Sequence, residues 1–543
     1  MKNHPECRAD DTSKLTPARV LDLGFSAGSL YLRLRAFDSL TGPIQYAALS
    51  YCWRGQQTLK LTSETLPKLE AGVEITELPR TLRDAAYICY KLGIRYLWID
   101  SLCIPQDDSD SWQLECGSMG SIYQNCIFSI AALHAENSDG GCFSQRNVLA
   151  NHRLRFSVGL SVFKDPQTDF TGLEESFGGP LGQRGWVFQE MCLAPRTLCY
   201  GDEGIYWECR RQRANEMWPD GDSGKTNISE SDTKYETKIS RGRMASENRI
   251  SGRDMKRTLA EMGLLSSSTG IPHTESKLES FFTDWYKLIK IYTNCNLTFA
   301  SDKLDAIAGI IELIQSRLGL TSLAGLWVQH LPKHLLWRSS FAHSLPTEYR
   351  APSFTWASVD AEVVNCYYPS SSRWRWAGEG SRPLQFESCL ATILQAQAAT
   401  IDTTRSTGQV SGGEMRIRGP VLRLCLLHDQ KTGKLNNNTC PLRSYSGERS
   451  YSDYWIYPDH QEVVYTKYPE LTFMVIMRWS SHMLGEGKSP IQPGEERFVS
   501  GLVFAPVEEN PALYKRVAYF ENVWTENHSA WWEDGEYETL IVV

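Results

Sequence analysis

The chain has 543 residues, enough for two or three domains at about 100–200 residues each. It carries 56 Lys and Arg against 64 Asp and Glu, a net charge of −8, and this acidic balance argues against a nucleic-acid partner. A hydrophobic fraction of 41% excludes a wholly disordered chain, and no apolar run approaches the ~18–20 residues that span a bilayer. The polar N-terminus and 15 scattered cysteines without a C-x-x-C pair lead us to expect a cytoplasmic protein with reduced, mostly buried thiols.

Strand and helix patterns alternate over the first 133 residues, which predicts an α/β fold with a mainly parallel sheet flanked by helices. In order, the predicted elements are strands over 17–53, a helix over 78–93 that ends at Gly93, a strand over 95–104, a helix over about 112–123 with Asp110 or Ser111 as its N-cap, and a strand over 126–133. Because crossover connections of this length favour parallel pairing, we expect Tyr46–Tyr51 and Tyr96–Ile104 to be adjacent or near-adjacent buried strands.

The composition of the chain changes after this region. Few apolar residues occur between 211 and 277, so we expect a flexible linker or loop there. Helical spacing resumes at 278, and short strands separated by Gly, Pro, Asn and Ser predominate from about 350. The predicted domains are N-terminal β strands over 1–45 that pack on the next domain, an α/β domain over 46–210, the linker over 211–277, a helical segment over 278–345 and a β-rich domain over 346–543.

Several familiar chemistries have no motif in this sequence. Neither G-x-G-x-x-G nor G-x-x-x-x-G-K-[ST] occurs. The G-x-S-x-G at Gly24–Gly28 lies in a turn between two predicted strands, so it is not the strand-to-helix nucleophile elbow. His330 and His334 stand four residues apart but lack the glutamate of H-E-x-x-H. A Cys103 thiol within an apolar run is normally inert. We therefore predict no metal site and no bound cofactor.

Five sequence blocks resemble the fungal heterokaryon-incompatibility (HET) domain in order and spacing, across roughly residues 46–191. The blocks are Ala48–Trp53, Leu78–Ala85, Leu92–Asp107, Met119–Tyr123 and Arg184–Glu190. The resemblance implies a role in nonself recognition between fungal individuals that ends in programmed cell death.

The HET domain is in turn remotely similar to Toll/interleukin-1 receptor (TIR) domains, several of which cleave NAD. In those enzymes a Trp-x-x-Glu-like segment opens the helix that carries the catalytic glutamate, and here Trp112 and Glu115 stand in that arrangement. The resemblance therefore implies a TIR-like fold, Glu115 as the catalytic residue and NAD+ as the substrate. A carboxylate near the ribose would stabilise the oxocarbenium-like state formed as the nicotinamide–ribose bond breaks. The alternative is a solvated glutamate that complements the helix dipole.

Other residues near the predicted strand ends are candidate substrate contacts. Tyr51 and Trp53 follow the first buried strand, where α/β sheets bind their ligands, and they could stack on a nucleobase or pack in the core. Asp100 would be a carboxylate inside a strand, paired with Arg184 or Arg83 or orienting a substrate group. The predicted substrate-binding residues are Tyr51, Trp53, Asp100, Gln106, Asp107 and Trp112, and the predicted supporting residues are Arg184, Gln189 and Glu190.

Two functions from different classes remain open. The first is a TIR-like NAD+ glycohydrolase whose activity on assembly depletes NAD+ and kills the cell. The second is a non-catalytic signalling module that oligomerises with protein partners through the α/β domain. Self-association on activation is expected for both, with the partner and the trigger undefined. A Glu115 that faces a crevice with Tyr51, Trp53 and Gln106 favours the enzyme, and a Glu115 that faces bulk solvent favours the module.

Overall fold

The structure is a computed structural model. It describes residues 4, 7, 17–26, 28–40, 44–53, 59–146, 179–216, 219–220, 256, 259, 264, 275–340, 346, 348–366, 385–426, 442–444, 450–451, 454–459, 471–480, 497–524 and 536–543. The chain divides into two compact units. Unit 1 takes residues 1–271, 295–297 and 305–317, and unit 2 takes residues 272–294, 298–304 and 318–543.

The α-helices of the described residues vary from one turn to five. They are α1 (Leu66–Ala71), α2 (Arg80–Lys91), α3 (Asp100–Cys103), α4 (Ser109–Asn125), α5 (Val187–Leu193), α6 (Glu275–Thr293) and α7 (Asp305–Leu318). Helix α2 agrees with its prediction, because Leu82, Ala85, Ala86 and Cys89 recur at helical spacing and are buried. Gly93 ends this segment with a φ of +71°, a conformation that glycine adopts without strain.

The strands of unit 1 form one nine-stranded sheet. They are β1 (Arg19–Ser26), β2 (Ser29–Ala36), β3 (Tyr46–Ser50), β4 (Val73–Glu74), β5 (Tyr96–Trp98), β6 (Phe128–Ala132), β7 (Arg196–Tyr200), β8 (Ile205–Cys209) and β9 (Arg213–Asn215). Their order is β4-β2-β1-β5-β3-β6-β7-β8-β9. The core of this unit joins the sheet to helices α2 and α4, whose buried members include Leu82, Ala86, Ile122 and Tyr123.

The sheet is mixed, and only its centre is parallel. Strands β5, β3, β6 and β7 run parallel to their neighbours in that order, which confirms the predicted parallel pairing of β3 and β5. The flanking pairs β1–β2, β1–β5, β2–β4, β7–β8 and β8–β9 are antiparallel. The prediction of a mainly parallel sheet was therefore too simple, because β1 and β2 extend the sheet as a hairpin on the free edge of β5.

The predicted strand Tyr96–Ile104 is wrong beyond Trp98. The chain turns at Asp100 into the short helix α3, in which Cys103 N–H donates to Ile99 O at 2.8 Å and Ile104 N–H donates to Asp100 O at 2.9 Å. The Asp100 carboxylate accepts the Ser101 N–H at 2.7 Å, which satisfies a backbone donor in the first turn. A short apolar run is compatible with either a buried strand or a buried helix, so its periodicity could not reveal this turn.

Helix α4 begins earlier than predicted, and Asp108 is its cap rather than Asp110 or Ser111. The Asp108 carboxylate accepts the Ser111 N–H at 3.3 Å and the Ser111 hydroxyl at 2.6 Å. Trp112 N–H donates to the Asp108 carbonyl at 2.9 Å. An aspartate that accepts an N–H of the first turn is a common N-cap, and its charge also suits the positive end of the helix.

Unit 1 is completed by chain segments that lie far beyond residue 210. Helix α7 packs on α4 where Gly120 meets Gly309, and a Cβ on Gly120 would lie 2.7 Å from the Gly309 Cα. The Gly309 N–H donates to the Gln189 side-chain oxygen at 3.2 Å. Asn296 bridges to the segment before α5, because Gly185 N–H donates to Asn296 O at 2.8 Å. Glycines at both positions let the two helices approach closely.

Unit 2 contains α6 and a β-rich region, as predicted for the C-terminal part of the chain. Its strands are β10 (Ser322–Leu323), β11 (Leu326–Trp327), β12 (Trp337–Ser339), β13 (Val363–Asn365), β14 (Gln385–Cys389), β15 (Thr392–Thr400), β16 (Val410–Leu426), β17 (Leu442–Ser444), β18 (Ser450–Tyr451), β19 (Tyr454–Pro458), β20 (Leu471–Ser480), β21 (Arg497–Val507), β22 (Asn510–Trp524) and β23 (Tyr537–Val542). Strands β14–β23 form one sheet, antiparallel among the described residues except at β22–β23. Its core holds Arg516, which pairs with Asp459 at 2.9 Å and lies over the Trp337 ring.

The predicted linker over 211–277 lies mostly outside the described residues. At its start β9 pairs with β8, and farther along the buried Lys256 amine donates to the Thr197 hydroxyl at 2.7 Å. Among the described residues, no helix combines the length and the apolar composition that crossing a membrane requires.

Candidate functional site

The carboxyl ends of β3 and β5 bring several of the predicted site residues together. The two strands are parallel neighbours, with Ala48 beside Trp98, so the residues that follow them emerge at the same edge of the sheet. Ser50 is the last residue of β3 and Tyr51 follows it, and Asp100 lies just beyond the end of β5. Open α/β sheets bind ligands at this kind of edge. We call the group Ser50, Trp53, Asp100, Arg184 and Glu190 the carboxyl-edge cluster.

Asp100 is held by the indole of Trp53. Trp53 Nε1 donates to Asp100 Oδ1 at 3.1 Å, and the Ser101 N–H donates to the same oxygen at 2.7 Å. Both Asp100 and Trp53 are half-buried. Tyr51 is buried, and its hydroxyl donates to the Ser101 hydroxyl at 2.7 Å, so its ring packs within the core. Asp100 and Trp53 therefore each keep part of their surface exposed.

Glu190 supplies a second carboxylate from helix α5. It is 4% exposed, and its Oε2 accepts the Ser50 hydroxyl at 2.5 Å. The neighbouring Tyr123 hydroxyl donates to Leu49 O at 2.9 Å, which anchors α4 to β3 beside this contact. A buried carboxylate requires donors, and Ser50 is the donor that β3 provides.

The two carboxyl groups influence each other. Burial raises the pKa of Asp100 to about 7, and the negative charge of Glu190 adds to this rise. The charge of Arg184 and the hydrogen bonds from Ser101 and Trp53 act in the opposite direction. Burial also raises the pKa of Glu190, against the Ser50 hydrogen bond and the charge of Arg184. Asp100 can therefore gain or lose a proton near neutral pH, which suits an acid–base group.

Arg184 is the arginine whose charge acts on both carboxyl groups. The other predicted partner of Asp100, Arg83, is not among the main influences on the pKa of Asp100. Arg184 Nη1 donates to Tyr51 O at 2.5 Å, immediately after β3. This contact holds the guanidinium at the carboxyl edge. One cation shared by two partly desolvated carboxyl groups leaves excess negative charge whenever both ionise.

Glu115 has a different partner. It is 8% exposed, and its Oε1 lies 3.8 Å from Arg19 Nη1 on β1. Burial raises the pKa of Glu115, and the Arg19 charge opposes that rise. Glu115 therefore faces the N-terminal hairpin rather than bulk solvent. None of the hydrogen bonds and ion pairs of the described residues joins it to Tyr51, Trp53 or Gln106.

The other predicted site residues make local structural contacts. Asp107 accepts the Ser63 N–H and hydroxyl, both at 2.8 Å, and these hydrogen bonds lower its pKa. Gln106 donates to Ile104 O at 2.9 Å. Trp112 packs edge to face with Trp186, with ring centroids 6.4 Å apart. Gln189 is directed to α7, where it accepts the Gly309 N–H.

Ser50, Arg19 and Tyr123 were not predicted as site residues from the sequence. Ser50 is separated from Glu190 by 140 residues, so no local spacing connects them. Groups of His, Cys, Asp or Glu with metal-ligand geometry occur once in the part of the chain that the structure describes, at His4, Cys7 and Cys209. That group lies at the amino ends of the central strands, opposite the carboxyl-edge cluster, because Cys209 pairs with Arg196 at the amino end of β7.

Parallel central strands with acidic and aromatic residues at their carboxyl ends define an α/β domain with a candidate ligand edge. Residues 46–190, which contain this edge, match the family model described as Heterokaryon incompatibility protein (HET). The segment 46–190 is therefore a HET domain, and a HET domain implies a role in heterokaryon incompatibility. No curated protein and no solved structure matches the chain, so the resemblance to TIR domains has no counterpart among these findings.

Proposed function

We propose that this HET domain acts in heterokaryon incompatibility as a cell-death effector that cleaves the nicotinamide–ribose bond of NAD+ at the carboxyl-edge cluster. The observation that carries the proposal is the half-buried Asp100, whose pKa of about 7 reflects burial and the nearby Glu190. We assign the reacting carboxyl group to Asp100 in preference to Glu115, because Glu115 is paired with Arg19.

In the proposed reaction the C–N bond between ribose and nicotinamide breaks, and its electron pair leaves with the nicotinamide nitrogen. The Asp100 carboxylate stabilises the positive charge that develops on the ribose ring. Asp100 then accepts a proton from the water that attacks the ribose carbon of the broken C–N bond. The products are nicotinamide, ADP-ribose and a proton. Trp53 offers a half-buried ring next to this carboxylate, and an aromatic face can stack on a planar base.

The test compares carboxamide variants of three carboxyl residues in the full chain. Purified protein is incubated with NAD+ at concentrations where it self-associates, and nicotinamide release is measured. We expect Asp100→Asn to lower turnover by about 10²–10³-fold, the usual effect of removing one such electrostatic contact. Glu115→Gln and the exposed control Asp107→Asn should remain within about threefold of the wild type, because neither side chain would touch the substrate.

Each outcome of this comparison leads to a decision. Loss of turnover in Glu115→Gln with normal Asp100→Asn would move the reaction to Glu115, as the resemblance to TIR domains implies. Self-associated wild-type protein that releases no nicotinamide would refute the enzymatic proposal.

The second candidate function is non-catalytic signalling through self-association. It is favoured by aromatic side chains at the surface of unit 1: Phe25 on β1 is 59% exposed and stacks on Tyr90 of α2, and Tyr87 is exposed on the same helix. Exposed apolar groups that adjoin one another are typical of interaction surfaces. Cell killing that is abolished by Tyr90→Asp while cellular NAD+ stays unchanged would support this function over the first.

A further inference from the structure

Two turns of unit 1 bring one histidine and two cysteines together. In the first turn Cys7 N–H donates to His4 O at 3.1 Å, so both side chains of the His-x-x-Cys segment belong to one turn. In the second turn, between β8 and β9, Cys209 N–H donates to Gln212 O at 2.9 Å. His4 Nδ1, Cys7 Sγ and Cys209 Sγ all lie within 4.8 Å of one another. A separation of 205 residues between His4 and Cys209 makes this a tertiary contact.

The spacing of these atoms is compatible with a tetrahedral metal ion. Bond lengths of about 2.3 Å to sulfur and 2.0–2.1 Å to nitrogen separate the two ligand atoms of a tetrahedral zinc site by about 3.6 Å. The Cys209 Sγ to His4 Nδ1 distance is 3.4 Å, close to that value without an ion present. The Gln212 N–H donates to Cys209 Sγ at 3.3 Å, an outer contact that orients the sulfur.

The chemistry of the three side chains selects the metal. Two thiolates and an imidazole are the ligands that zinc takes in proteins, and calcium or magnesium would require oxygen ligands. Both cysteines are buried, and the two positive charges of Zn2+ would be balanced by the two thiolates. A buried site with no net charge avoids the large desolvation penalty of an isolated ion.

We propose that His4, Cys7 and Cys209 bind one Zn2+ ion that ties the N-terminal segment to the β8–β9 turn. Three ligands come from the described residues, so the fourth tetrahedral position is left to water or to an added ligand. Because the group lies at the edge opposite the carboxyl-edge cluster, the proposal is independent of the function assigned to Asp100. It also departs from the expectation of no metal, which rested on local Cys and His spacing alone.

The experiment uses the full chain, reduced and freed of metal by a chelator. Co2+ is titrated as the probe, since thiolate-to-cobalt absorption bands report sulfur ligation, and Zn2+ is then added in competition. We expect one equivalent of each metal to bind. His4→Ala and Cys209→Ala should each weaken binding by at least about 100-fold, because even outer-shell changes at metal sites reduce affinity by about 10–100-fold. Cys199→Ala, which removes a buried thiol from the adjacent strand β7, is the matched control and should bind normally.

His4→Ala keeps the test decisive if Cys209→Ala does not fold, because His4 is only half-buried. The proposal would be overturned if the wild type bound no Co2+ at one equivalent of added metal. It would also be overturned if the variants bound Co2+ as tightly as the wild type. A Cys7–Cys209 disulfide in the unreduced chain, found by mass spectrometry of proteolytic fragments, would also overturn it by assigning the two sulfurs to a redox bond.

Discussion

Replacing Asp100 by asparagine should make the free energy of unfolding less sensitive to rising pH. Asn keeps the oxygen that accepts the Trp53 and Ser101 donors but cannot ionise. In the wild type the pKa of Asp100 is about 7 in the folded state, against 3.8 for an unperturbed aspartate. Between these values the unfolded chain binds fewer protons than the folded chain, so the free energy of unfolding falls as the pH rises.

The slope of this effect is about 1.4 kcal/mol per pH unit when one proton separates the two states. From pH 5 to pH 7 the free energy of unfolding of the wild type should therefore fall by up to about 3 kcal/mol more than that of Asp100→Asn. Coupling to Glu190 and the partial exposure of Asp100 reduce this figure, and we expect about 1–3 kcal/mol. The difference should level off above pH 7, where the folded-state carboxyl is also ionised.

The measurement is the thermal unfolding midpoint of both proteins at several pH values between 5 and 8. Asp107→Asn provides a control of opposite sign, because hydrogen bonds from Ser63 lower the pKa of Asp107. The Asp107 carboxylate contributes stability above its unfolded pKa, so Asp107→Asn should be less stable than the wild type at neutral pH. A difference between Asp100→Asn and the wild type that stays constant from pH 5 to pH 8 would refute the reasoning.

Two further predictions concern stability. Gly120→Ala should lower the free energy of unfolding by about 1–3 kcal/mol, because the added Cβ would lie 2.7 Å from the Gly309 Cα. Urea denaturation monitored by tryptophan fluorescence would measure this loss. An unchanged unfolding transition would contradict the prediction. Asp459→Asn should lower it by about 3–5 kcal/mol, since it leaves the Arg516 cation buried without its charge partner. Glu538 forms an ion pair with an exposed arginine, so Glu538→Gln should change the free energy of unfolding by less than about 1 kcal/mol. Equal losses for Asp459→Asn and Glu538→Gln would contradict the assigned role of burial.

The sequence predicted those parts of the fold that depend on local pattern. Helix α2 and the parallel neighbours β3 and β5 follow from apolar spacing and from the length of the connection between them. The pattern could not locate the turn at Asp100, because a run of buried apolar residues is the same in a strand and in a short buried helix. Nor could it predict that β1 lies beside β5, since antiparallel edge pairing leaves no signal within either segment.

The candidate site shows the same division. Asp100, Arg184 and Glu190 were each singled out from the sequence, but only the structure shows Arg184 and Glu190 acting on the Asp100 carboxyl group. Glu115 was chosen because Trp112 and Glu115 resemble the Trp-x-x-Glu-like segment of TIR domains, and its partner Arg19 lies 96 residues earlier on a different element. Long-range partners of this kind depend on tertiary packing, which no spacing rule within one segment describes.

The return of α7 to unit 1 affects how this domain folds during synthesis. The HET match ends at residue 190, but Gly120 and Gln189 find their partner Gly309 only when the chain has been made as far as α7. Until residue 317 has left the ribosome, Gly120 of α4 lacks its contact with Gly309 and the Gln189 side chain lacks this donor. A nascent HET segment is therefore an incomplete folding unit, open to chaperones and proteases for more than a hundred residues of elongation. For the same reason, a fragment cut at the family boundary should be less stable than the segment is within the whole chain.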